Sequence, residues 1–125
     1  MSLKEYFENT KGFGVLSTAG SDGKVDSAVY ARPHFSDEDT ATFIMADKLS
    51  HENLKTNPHA AYLFKEDGDG YRGKRLFLTK TGEEENDEKL IELRRKVRCP
   101  VDEEGKRFIV HFKVDEVLPL VGSEK

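Results

Sequence analysis

Between Phe13 and Val121 the chain alternates apolar runs with breaks, and most of these breaks are too short to hold a crossover helix. Parallel neighbours need a connection of a dozen or more residues, whereas antiparallel neighbours need only a tight turn. The spacing therefore points to a mainly antiparallel sheet. Phe13-Gly14-Val15-Leu16-Ser17-Thr18 reads as a first strand, followed by a turn at Asp22-Gly23. Val25 to Phe35 reads as the return strand, with Pro33 marking an edge, a bulge or a strand end within it. Ala41 to Ala46, Ala60 to Phe64, Tyr71 to Thr81 and Lys106 to Val114 read as four more strands. Val117 to Val121 either extends the last one or crosses to a partner.

Three helices fit between and around these strands. Ser2 and Glu5 have capping-box spacing, with Leu3, Tyr6 and Phe7 as an apolar stripe and Gly12 as the stop. A short helix opens near Ser50 and stops at Pro58. Asn86 to Arg98 places Leu90, Leu93 and Val97 on one face. Its acids gather at the start and its bases at the end, as the helix dipole favours. Six strands and about three flanking helices imply an α+β fold in one domain, residues 1–125. Closing such a sheet into a small barrel would remove its edges.

Composition narrows the function classes. A net charge of −4 argues against a nucleic-acid binder, which needs a basic surface. The lone cysteine, Cys99, excludes an internal disulfide and a cysteine-rich zinc site. No N-terminal run reads as a signal peptide and no stretch reads as a membrane span, so a cytoplasmic setting is expected. With 36% apolar and 35% charged residues the core is lean, which favours burying a face against a second copy. The histidines at 34, 51, 59 and 111 lack metal-ligand spacing, so no metal is expected. Asp67-Gly68-Asp69-Gly70 starts like a calcium loop, but Tyr71 and Leu78 fall at ligand positions, leaving a hairpin turn. No nucleophile elbow, Walker loop or dinucleotide fingerprint is present, and no catalytic side chain stands out.

Two segments carry candidate binding chemistry. In the first, an apolar run ends at Ala46 and a helix begins near Ser50, with Lys48, Ser50, His51 and Asn53 around its start. Free N–H groups and the helix dipole favour an anion there, and these side chains would complete a phosphate cradle. Equally, Ser50 could be a simple N-cap within a solvated first turn. In the second, Tyr30-Ala31-Arg32-Pro33-His34, Arg32 offers planar bidentate donors. Pro33 frees the strand from regular pairing, and His34 can donate or accept. An edge-strand proline with exposed flanking charges reads the same way.

In order and spacing, these segments resemble the pyridoxamine 5′-phosphate oxidase-related FMN-binding split-barrel family. The likeness runs from about Phe13 to Val121. It rests on Gly14-Val15-Leu16-Ser17-Thr18 before an Asp-Gly turn, and on Val29-Tyr30-Ala31-Arg32-Pro33. It rests also on Leu49 through Asn57-Pro58 to Ala61, and on Gly70-Tyr71-Arg72-Gly73-Lys74-Arg75-Leu76. The resemblance implies a six-stranded split barrel, a homodimer, and FMN held at the subunit interface. It implies Arg32, Pro33 and His34 near the ring system and ribityl chain, and Ala46, Asp47 and Lys48 beside the cofactor. It assigns Ser50, His51 and Asn53 to the phosphate. The loop from Asp47 to Asn53 is shorter than in many relatives, and Glu52 stands where some carry lysine. Lys48 is then the first choice to neutralise the phosphate, with Arg72 or Lys74 as alternatives. The expected activity is flavin-dependent redox chemistry. A flavin- or haem-binding module on the same fold, with His34, His51 or His111 as axial ligand, is the alternative.

Overall fold

The computed structural model describes residues 2–46, 48–85, 88, 92 and 107–122. Among these residues two helices and seven strands are delimited, in the order α1 (Leu3–Asn9), β1 (Gly12–Ala19), β2 (Val25–Val29), β3 (His34–Phe35), β4 (Thr40–Ala46), α2 (Leu49–Thr56), β5 (His59–Glu66), β6 (Gly73–Glu84) and β7 (Arg107–Pro119). All pairings are antiparallel, in the order β2-β1-β5-β6-β7-β4-β3. This corrects the expected six strands to seven. The run from Val25 to Phe35 is not one strand: it breaks at Tyr30–Pro33, and its halves lie on opposite edges of the sheet. Pro33 cannot donate to a ladder, which is a local cause of the break. Of the three expected helices, two lie among the described residues, and Asn86 to Arg98 falls almost wholly outside them.

That break bends the sheet. A flat seven-stranded sheet would hold its outer strands roughly 29 Å apart at about 4.8 Å per strand. The link from Val29 to His34 spans at most roughly 18 Å. The edge strands β2 and β3 can both be reached only if the sheet curls into an incomplete barrel, with no ladder joining β2 to β3 among the described residues.

Strand alternation fills the inside of the curl. Leu16, Tyr62, Phe64, Leu76, Leu78, Phe108, Val110, Phe112, Phe43 and Met45 all point inward and are buried. Helix α1 plugs one end: Ser2 caps it by accepting from the Glu5 amide at 3.1 Å, and Phe7 stacks on Phe35 with centroids 5.7 Å apart. Tyr6 donates to Glu66 at 2.6 Å, tying the helix to β5. Tyr62 of β5 reaches over Gly14 of the neighbouring strand β1 and donates to the carbonyls of Tyr30 and Ala31 at 3.1 and 3.3 Å, so a core strand holds the connector. Burial first, against the pull of nearby Arg32, pushes the Tyr62 phenol well above its ordinary range. It stays a donor at any working pH.

The Tyr62 phenol fits there because Gly14 has no side chain: a Cβ at Gly14 would collide with the Tyr62 hydroxyl and ring. Gly14→Ala is therefore expected to destabilise the fold by about 1–3 kcal/mol, read as a lower midpoint in urea. An unchanged midpoint would contradict this close approach.

Candidate functional site

The start of α2 rests on the first hairpin. Thr18 and Asp26 are cross-strand partners in β1 and β2, and α2 meets that pair with two residues one turn apart. Ser50 Oγ donates to Asp26 Oδ2 at 3.3 Å, and Asn53 Nδ2 donates to Thr18 Oγ1 at 3.1 Å. Ser50, Asn53 and Thr18 are buried by this contact, and Leu54 enters the core. The N-cap is Lys48 rather than Ser50, with no side-chain capping bond. The Lys48 side chain is exposed.

His51 turns inward. It is 2% exposed, stacks on Phe108 with ring centroids 4.0 Å apart, and holds both Glu83 oxygens at 3.0 and 3.1 Å through Nε2. Lys80 donates to the same carboxylate at 2.6 Å. Burial works to raise the Glu83 pKa, but the bonds and charges of Lys80 and His51 outweigh it and hold the carboxyl below its ordinary range.

The other expected residues lie elsewhere. Arg32 donates to the carbonyls of Phe7 and Thr10 at 2.9 and 2.8 Å, fastening the C-terminal end of α1. Pro33 is buried, and His34 pairs with Thr42 at the β3 edge. Thr42 in turn pairs with His111, so His34, Thr42 and His111 form one cross-strand row. Thr42 Oγ1 lies 2.8 Å from His111 Nδ1, and Glu84 lies 2.8 Å from His111 Nε2. Ala46 ends β4 on the same face as Thr42, roughly 13 Å along the strand. It is buried, while Asp47 falls outside the described residues. The structure thus brings Ser50, His51 and Asn53 together at α2 and leaves Arg32, Pro33 and His34 in a separate group.

Asp26, Thr18, Glu83 and Lys80 join the α2 cluster without having been singled out in the sequence. Only their pairing partners identify them, and those are distant along the chain. Between α2 and the hairpin lies a groove of about 230 Å³ lined by Asp22, Lys24, Val25, Asp26, Leu49 and Asn53. Among the described residues no group of three or more histidine, cysteine, aspartate or glutamate side chains could hold a metal ion. Among the same residues no helix is long and apolar enough to cross a membrane.

No family model and no curated protein matches the sequence. Solved structures do match. An FMN-binding protein from Syntrophomonas wolfei superposes with a TM-score of 0.73 at 17% identity, covering 95% of this chain and 84% of that one. An F420 reductase gives 0.68 at 17% identity, covering 94% and 97%. A pyridoxamine 5′-phosphate oxidase-like protein from Lactobacillus delbrueckii gives 0.66 at 19% identity, covering 91% and 88%. At these identities the likeness establishes the fold. The chain has the split-barrel fold of the pyridoxamine 5′-phosphate oxidase-like proteins, as its sequence resemblance implies.

The Glu83 contact makes stability depend on acid. A carboxyl with a lowered native pKa stabilises above its unfolded value, about 4.3, and that stabilisation is lost as the pH falls through the native value. Melting temperature is expected to drop below about pH 4.5, and Glu83→Gln should flatten that acid limb while costing about 1–3 kcal/mol at pH 7. An acid limb identical in the variant would show that another carboxylate controls it.

Proposed function

We propose that this chain is a flavin-binding protein that works as a homodimer, with the cofactor at the subunit interface and redox transfer as its activity. The observation that carries this reading is a fold shared over 95% of the chain with an FMN-binding protein, together with a groove beside α2. FMN is the flavin that the sequence resemblance implies, with Lys48, Ser50, His51 and Asn53 at its phosphate end and Arg32, Pro33 and His34 toward its ring. Bound flavin supplies hydride or single-electron transfer; the chain orients it and keeps water from it. The lone cysteine suits a reducing cytoplasm.

The groove supports the dimer. Small-molecule pockets usually measure about 300–1,000 Å³, so one copy gives an incomplete wall that a second copy would finish. An apolar surface is available for that contact. Val29, Val15 and Leu63 form a cross-strand row on the outer face of β2, β1 and β5, with Val25, Phe13 and Phe77 also exposed. Contiguous apolar surface of this kind marks an association site. The haem alternative is less well supported, because Glu83 and Glu84 already engage the Nε2 atoms of His51 and His111.

Absorption of the purified protein, followed by titration of stripped protein with flavin, tests the cofactor. A flavin spectrum or micromolar binding is expected, and neither appearing would end this reading. Oxidation of NAD(P)H by the loaded protein then separates an enzyme from a binding module. For the dimer, light scattering should give twice the chain mass, and Leu63→Glu should halve it and weaken flavin binding by about tenfold or more. A monomeric parent protein would refute the interface.

A further inference from the structure

The start of α2 is built around an anion that the chain itself supplies. Of the groups expected to meet a phosphate there, the three carried by the helix itself already have an internal bond. Ser50 donates to Asp26, Asn53 to Thr18, and His51 faces Glu83. Arg32 is engaged by the carbonyls of Phe7 and Thr10. The groove has two carboxylates, Asp22 and Asp26, and one cation, Lys24, on its walls. Lys48 is exposed and is not one of the residues lining it. Asp26 is not a loose loop residue: it is half-buried in β2, in register with Thr18, and the sheet determines its position.

A carboxylate at a helix start takes the place of an external anion, because it answers the same dipole and accepts from the same donors. A phosphate monoester carries about −1.5 to −2 charges at neutral pH. To reach Ser50 it must displace Asp26 or lie against it, and like charges in such contact repel strongly. A flavin whose side chain ends in a neutral hydroxyl meets no such opposition, and that hydroxyl can donate to the Asp26 carboxylate. The residues present therefore do not fit a phosphate.

Resting on the flavin reading above, we infer that Asp26 is a specificity determinant that closes the α2 end of the site to phosphate. Among flavins, this chain takes the unphosphorylated, riboflavin-type form in preference to FMN.

Fluorescence-quenching titrations of stripped protein with riboflavin and with FMN test this. The parent protein should bind riboflavin more tightly than FMN. Asp26→Asn keeps the shape and the bond from Ser50 while removing the charge. It should tighten FMN and shift the ratio of the two affinities about tenfold toward FMN. Should Asp26→Asn melt below the parent, Asp26→Ser in the same pair of titrations gives the second reading. Tighter binding of FMN than riboflavin by the parent protein would overturn the inference. So would equal shifts for both flavins, or no shift for FMN, in a folded variant. Binding of neither flavin would instead remove the flavin reading, and this inference with it.

Discussion

The short connector between the two edge strands governs this structure. Tyr30–Pro33 joins strands that stand first and last in the sheet order, so the sheet has to curl around its own apolar face. The Tyr62 hydroxyl, carried by β5 over Gly14 of β1, pins that connector by two carbonyls. Arg32, within the connector, then fastens α1 by two more. Curvature, core and the plugging helix are thus one arrangement. The residues expected beside a flavin ring are also the ones that hold the barrel's open seam.

At the other group of candidate residues, the same economy applies to α2. A short helix with a weak apolar face needs tertiary contacts to persist. It obtains them by seating Ser50 and Asn53 on a cross-strand pair, by burying Leu54, and by locking His51 between Phe108 and Glu83. Each bond that secures the helix also occupies a donor that an external anion would need. Structure and recognition compete for the same side chains, and the competition decides what the groove beside α2 can accept.

Much of the architecture was legible along the chain. Alternating residues in β5, β6 and β7 place Tyr62, Leu76, Leu78, Val110 and Phe112 inside. The Ser2–Glu5 spacing gives the α1 cap, and the Asp22-Gly23 turn gives the first hairpin, with Gly23 at positive φ. The run from Val25 to Phe35 was not legible as two strands. Its apolar pattern continues through Pro33, and nothing in that pattern says that its two halves pair with β1 and β4 at opposite edges.

By itself, the sequence determined every strand outside the run from Val25 to Phe35, the turns and the α1 cap, because these depend on side-chain alternation and on neighbours three or four residues away. It also placed polar groups at the start of α2. What those groups do was decided only by tertiary structure. Asp26, Thr18 and Glu83 lie 24, 35 and 32 residues from their partners Ser50, Asn53 and His51. Hydrogen bonding between such distant groups follows from how the sheet curls, and no local pattern encodes it.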